Sequence, residues 1–200
     1  AHGRGTREAI RWLGRGGSTR SLTYGDLKAA TDRFARLLGS LGHGKGVRVF
    51  SLLGRIPELY LAALGTLKAG GVFCPLYSAF GPEPVRARMT IGEAAVLVTT
   101  AADYAKKVLP WRSELPCLKH VLLVDAPADA TGDMLDFNAA CAAQSDGFDM
   151  VLTRPEDMAL LHFTSGTTGK PKGAIHVHEA VVAHNATGRL VLDFHEGDIF

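Results

Sequence analysis

The sequence predicts an α/β fold: a mostly parallel sheet flanked by helices, with a β-hairpin at its start. Two observations predict it. Short apolar runs of strand length alternate with longer amphipathic runs of helix length, so crossover units recur and parallel pairing follows. Near the start, Gly14-Arg-Gly-Gly-Ser18 separates two short runs by too little chain for a crossover, which is a hairpin signal. No repeat of fixed period and no low-complexity tract interrupts the pattern.

Residues 9–13 (Ala-Ile-Arg-Trp-Leu) and 20–24 (Arg-Ser-Leu-Thr-Tyr) form the hairpin arms. From Asp26 to Leu41, apolar residues recur at Leu27, Ala30, Phe34, Leu37, Leu38 and Leu41, the three-and-four spacing of a helix face, and Gly42 ends the run. Residues 47–53 are a strand. Pro57 stands at a helix start, and Leu59, Leu64 and Leu67 ride that helix to Gly70-Gly71. Residues 72–76 are strand-like, Pro82 or Pro84 opens a helix through Ile91, and residues 95–99 form another strand. A helix over 101–109, a strand over 120–124 and a short helix over 134–144 continue the alternation, before the polar stretch 145–149. Met158-Ala-Leu-Leu-His-Phe163 and Gly173-Ala-Ile-His-Val177 read as two further strands.

Composition is that of an ordinary globular protein, with 200 residues, 46% hydrophobic and 21% charged. A complete unit of this size buries about 70% of its extended surface. The absence of an initiator Met and the ending Asp198-Ile-Phe, which reads as the entry to another strand, suggest a portion of a longer chain. The net charge of +2 argues against nucleic acid as partner. Residues 1–20 hold five Arg and one Glu, but only Trp12 interleaves with them, so they read as a solvated hairpin face.

Cys74, Cys117 and Cys141 are odd in number and widely spaced, which fits buried thiols in a reducing compartment rather than a disulfide framework or zinc knuckle. No apolar stretch is long enough for a membrane span and no signal-peptide pattern opens the chain, so the expected location is cytoplasmic, without membrane partners.

The richest segment is Thr164-Ser165-Gly166-Thr167-Thr168-Gly169-Lys170-Pro171-Lys172-Gly173. Three glycines, four hydroxyls and two lysines follow a buried-looking apolar run. Backbone N–H groups, hydroxyl donors and ammonium heads there can converge on one anion, and a nucleotide triphosphate is the natural guest. A Walker-type loop is excluded: its glycines are separated by four residues and a helix follows. Here Gly166 and Gly169 are separated by two residues, Pro171 stands where the Mg-binding hydroxyl belongs, and a strand follows. The alternative is a Gly/Thr-rich surface turn. In an open parallel sheet, ligands lie beyond the carboxyl ends of the strands, which is where this loop emerges.

In their order these ten residues resemble the signature loop of the adenylate-forming (AMP-binding) enzymes, the superfamily of acyl-CoA synthetases, peptide-synthetase adenylation domains and luciferases. Leu22-Thr-Tyr-Gly-Asp-Leu27 resembles the first short motif of that superfamily, and Leu67-Lys-Ala-Gly-Gly-Val-Phe-Cys-Pro-Leu76 its second. The stretches 77–88, 176–184 and 187–193 look most like acetate–CoA ligases. The resemblance runs from about Leu22 to Phe200.

The resemblance implies the first part of a large N-terminal domain. Residues 1–25 would be its hairpin region, 26–157 an α/β region, and 158–200 the phosphate-loop hairpin with a following helix; the mobile C-terminal lid would lie outside these residues. The implied substrates are ATP with Mg2+, coenzyme A and a small carboxylic acid. The acid attacks the α-phosphate to give an acyl-adenylate and pyrophosphate, and the thiol then displaces AMP. Thr164, Ser165, Thr167 and Thr168 would hydrogen-bond the β- and γ-phosphates, with Gly166 and Gly169 letting the main chain join them. Lys172 is the preferred cation over Lys170, because the lysine after the proline belongs to the family motif. The catalytic lysine of the lid has no counterpart here, and these residues alone are expected to be inactive.

Other residues carry less. His162, His176, His178 and His184 invite a metal reading, above all His176-x-His178, but a set of carboxylate or Cys ligands to complete such a site is not evident. Glu156-Asp157 after Pro155 reads as a helix or turn start, not a general base. Longer acetyl-CoA synthetases place arginines near the region of Lys106-Lys107 to meet the 3′-phosphate of coenzyme A; that arginine pattern is missing, so both lysines read as a solvated helix face. Three function classes remain: a carboxylate–CoA ligase acting on acetate or another short acid, an adenylation domain loading a carrier protein, and a non-catalytic nucleotide-binding module.

Overall fold

A computed structural model of the chain describes residues 3–128, 130, 132–164, 171–193, 195 and 198. Strands β1 (Glu8–Leu13) and β2 (Thr19–Thr23) pair antiparallel. Gly16 and Gly17 make the turn at φ 81° and 84°, a region that costs glycine little. Thr23 then caps helix α1 (Tyr24–Ser40). The Asp26 N–H donates to Thr23 Oγ1 at 3.1 Å, and the Thr23 N–H donates to the Asp26 carboxylate at 2.9 Å, a reciprocal capping box. The helix therefore starts two residues ahead of Asp26, and Tyr24 belongs to it rather than to the hairpin arm. Trp12 Nε1 donates to the Arg55 carbonyl at 2.7 Å, and Arg20 pairs with the buried carboxylate of Glu58 at 2.8 Å, fastening the hairpin to the body.

The main sheet has seven strands: β3 (Arg48–Leu53), β4 (Val72–Tyr77), β5 (Val96–Thr99), β6 (His120–Leu123), β7 (Met134–Asp136), β8 (Met158–Thr164) and β9 (Lys172–Val177). Their spatial order is β7-β6-β5-β3-β4-β8-β9, parallel throughout except for the β8–β9 pair. Alternate residues of β3 serve two cores. Val49 and Leu53 pack with Phe34, Leu38, Phe73 and Phe137 under α1, α2 (Pro57–Lys68) and α5 (Phe137–Ala142). Phe50 and Leu52 pack with Cys74, Val85, Met89 and Trp111 under α3 (Pro82–Ile91), α4 (Ala101–Lys107) and a 3-10 segment at Leu109–Glu114. Burial on both faces is why β3 and β4 read as nearly continuous apolar runs. Helix α6 (Glu179–Val191) follows β9 and buries none of its residues.

The structure corrects several expectations. Residues 134–144 are not one helix: Met134–Asp136 pair in parallel with β6, and the Asp136 carboxylate then caps α5 by accepting from the Ala139 N–H at 2.6 Å. Pairing with a distant strand overrides the local helical pattern there. On α2 the buried face is Glu58, Ala62, Gly65 and Thr66, whereas Leu64 is exposed. Lys107 is not on a solvated face. Its side chain is 11% exposed, pairs with Asp103 at 2.7 Å and donates to the Ser78 carbonyl at 2.6 Å, while Lys106 is exposed. Cys74 is buried, Cys141 half-buried and Cys117 exposed, so the thiols are not uniformly interior. Among the described residues, no helix is long and apolar enough to cross a membrane.

Candidate functional site

The parallel strands end together, so Leu53, Tyr77, Thr99, Leu123 and Thr164 lie along one carboxyl-end rim of the sheet. Thr164 is the last residue of β8 and pairs across the antiparallel ladder with Lys172, the first of β9. The predicted linker thus joins two strands with no helix behind it, as its sequence implied. Thr164 Oγ1 stands 3.5 Å from the Lys172 carbonyl, at the outer limit of a hydrogen bond. Both side chains are exposed, and Lys172 has no ion pair among the described residues. One hydroxyl and one unneutralised ammonium therefore stand side by side at the rim. Together they suit an anion. Ser165, Gly166, Thr167, Thr168, Gly169 and Lys170 lie outside the described residues.

The two arms are held by what lies beneath them. Leu161 and Phe163 point into the core, where the Phe163 ring sits 6.2 Å from that of Phe50, while His162 and Thr164 face out. Gly173 lies opposite Phe163, and a Cβ there would come within 2.9 Å of Leu161 Cδ1. The alternation of β8 thus fixes which way Thr164 faces.

At the far end of the hairpin, the Asp157 carboxylate accepts from the Arg154 N–H at 2.6 Å and pairs with Lys45 at 2.5 Å. The Lys45 side chain and that N–H hold its carboxyl below the usual range. The His178 N–H donates to the Asp157 carbonyl at 3.0 Å and the Glu179 N–H to that of Pro155 at 3.1 Å. Residues 154–157 are a turn that clasps the β9–α6 junction, with the Asp157 carboxylate tied to Lys45 and to the turn's own main chain.

The four histidines of the metal reading are not gathered into one site. His162 and His176 are exposed on adjacent strands, and His184 is exposed on α6. His178 lies past the end of β9 with φ −57° and ψ −34°, so His176 and His178 do not share a strand face. Among the described residues, no group of three or more His, Cys, Asp or Glu side chains is placed to hold a metal.

Sequence reasoning missed the neighbours of the linker. The β4–β8 register pairs Phe73 with Leu160, so counting four residues along both strands brings Tyr77 level with Thr164. At the other end of the linker, Pro171 lines an open cleft with Glu83, Arg86, Ala87 and Thr90 of α3 and with Glu114. Nothing in the local pattern of 72–91 signals this, because the proximity comes from pairing between strands far apart in sequence.

The comparisons with known proteins agree with this geometry. The model of the family described as AMP-binding enzyme matches residues 1–200. The chain is 37% identical over 179 residues to the acetyl-coenzyme A synthetase of Bacillus subtilis (strain 168), which covers 89% of this chain and 31% of that protein. It spans about a third of the length of the curated relatives it matches, 31% and 33% for two of them. The crystal structure of Brucella canis acyl-CoA synthetase superposes with a TM-score of 0.86 at 31% identity, over 97% of this chain and 35% of that one. ATP-bound MatB from Rhodopseudomonas palustris gives a TM-score of 0.72 at 26% identity, over 88% of this chain and 33% of its own. With the family model spanning the whole sequence and the linker at the sheet rim, the chain belongs to the AMP-binding enzyme family.

Proposed function

We propose that this chain is the first part of the large N-terminal domain of an ATP-dependent carboxylate–CoA ligase that acts on acetate or another short acid. One observation carries the reading: a strand-to-strand linker of phosphate-binding composition opens from the rim at Thr164 and closes at Lys172, which is exposed and has no ion pair among the described residues. Similarity to an acetyl-coenzyme A synthetase supports the acid and the thiol, and similarity to an ATP-bound structure supports the nucleotide.

In this reading a carboxylate oxygen of the acid attacks the α-phosphorus of ATP. The bond from that phosphorus to the β-bridging oxygen breaks, and pyrophosphate leaves. The thiolate of coenzyme A then adds to the acyl carbon and AMP departs. Little covalent chemistry falls to the protein; positioning and charge neutralisation lower the barrier. Thr164, Ser165, Thr167 and Thr168 donate to the β- and γ-phosphates, Gly166 and Gly169 admit the main chain, and Lys172, with Lys170 beside it, offsets charge growing on the leaving pyrophosphate. Mg2+ arrives on the phosphates. The residues that hold adenine, the acyl group and the catalytic lysine would come from the remaining two thirds of a full-length chain, so these 200 residues alone are inactive in this reading. A cytoplasmic location goes with it.

Pyrophosphate release by the full-length protein, measured over a panel of acids with and without coenzyme A, tests this. Acid-dependent release that turns over repeatedly only with coenzyme A is expected, fastest with a short acid. Turnover that needs a carrier-protein thiol instead would point to an adenylation domain, and no release with any acid would refute the ligase reading.

A further inference from the structure

We infer that Lys107 is a positioning residue for the phosphate linker, acting through the main chain of the turn that follows β4. The inference rests on the ligase reading above and assigns a role to a lysine remote from the linker in sequence.

Lys107 closes α4 with its side chain almost wholly covered. A buried ammonium is costly unless its protons are taken up and its charge is neutralised. Asp103, one turn earlier, neutralises it at 2.7 Å, and a second proton goes to the Ser78 carbonyl at 2.6 Å. That carbonyl belongs to the turn between β4 and α3. A second cation holds the same turn: the Arg88 guanidinium lies 4.4 Å over the Phe80 ring and donates through Nη1 to the Pro84 carbonyl at 2.9 Å. Phe80 in turn meets Tyr77 edge to face, with centroids 5.7 Å apart. Residues 77–84 are therefore clamped from beneath, while the Tyr77 ring is left 67% exposed at the rim.

Both described ends of the linker border this clamped segment. Counted from the Phe73–Leu160 pair, Thr164 falls level with Tyr77 on the adjoining strand, and Pro171 shares a cleft with Glu83, Arg86, Ala87, Thr90 and Ile91 along α3. Releasing Ser78 frees the turn and the start of α3 together, and with them the support for both ends. A misplacement of about 1 Å at such support can cost on the order of a hundredfold in rate.

The test is acid-dependent exchange of pyrophosphate into ATP by the full-length protein carrying Lys107→Met, which keeps the stem and removes the ammonium. The KM for ATP is expected to rise about fivefold or more while the KM for the acid stays within about twofold, and Lys107→Arg is expected to restore most of the loss. If Lys107→Met does not fold, Asp103→Asn leaves the lysine unneutralised and is expected to give a smaller rise in the same constant. An ATP KM that does not move in the folded variants, or ATP and acid constants rising together as in general loosening, overturns the inference. Absence of exchange in the unaltered protein overturns the ligase reading, and the positioning role with it.

Discussion

Gly65 of α2 lies so close to Phe34 of α1 that a Cβ built on it would fall 2.7 Å from Phe34 Cδ1 and 3.0 Å from the Thr31 carbonyl. The two helices meet through this absent side chain, and the contact is completed by Asp32. The Asp32 carboxylate is 2% exposed and held by Lys28 at 2.6 Å and Lys68 at 2.5 Å. Burial works to raise its pKa, but the two ammonium groups prevail and hold it below the ordinary carboxylate value.

Gly65→Ala is therefore expected to destabilise the protein, although alanine favours a helix by about 1 kcal/mol over glycine. Overpacking against Phe34 and a main-chain carbonyl costs about 1–3 kcal/mol, so the net loss is about 1 kcal/mol, and Gly65→Val should cost more. Urea unfolding of the three forms measures it; equal midpoints would mean the helices separate freely.

Lys172→Ala in the full-length protein should slow pyrophosphate release by about ten- to a thousandfold, the range for loss of one preorganised charge partner. Transfer from preformed acyl-adenylate to coenzyme A should change far less, because pyrophosphate has already gone. Rapid-quench measurement of each half-reaction separates the two. Equal slowing of both would remove Lys172 from the assigned role.

The His43–His120 contact predicts a pH dependence. His43 Nε2 lies 2.9 Å from His120 Nδ1, joining the end of α1 to the start of β6. Desolvation lowers both pKa values; the charge of His120 adds to this at His43, and Asp133 opposes it at His120. The folded state then binds fewer protons than the unfolded one below the unfolded value of about 6.5. Stability is complete above that pH and declines as the solution is acidified through the lowered folded values. The pair also holds only one shared proton, since two imidazolium rings would oppose donor to donor. Urea midpoints at pH 7.5 and 5.5 should differ more for the unaltered protein than for His43→Gln; an unchanged difference would show that other groups govern it.

The cysteines should separate by reactivity. Burial pushes Cys74 and Cys141 up to about 12, whereas Cys117 is exposed. At neutral pH a thiol-specific chromophoric reagent should label one cysteine quickly, and Cys117→Ser should abolish that phase. Fast labelling of two or three thiols in the folded protein would contradict this packing.

The alternation of strand-length apolar runs at 47–53, 72–76, 95–99 and 120–124 with helix-length amphipathic runs was enough to determine a mostly parallel α/β sheet, and the order of residues 164–173 was enough to place a linker rich in glycine and hydroxyl groups between two strands. Both are local: side-chain periodicity records which face is buried, and glycine with hydroxyl and ammonium neighbours records what a loop can hold. The arrangement in space was not local. That Met134–Asp136 is a strand, that α2 buries Gly65 rather than Leu64, that Lys107 is covered, and that Tyr77 stands level with Thr164 each depend on which distant segments became neighbours. Parallel pairing between remote strands and close helix approach set these contacts, and a single segment carries no record of the partner it will meet.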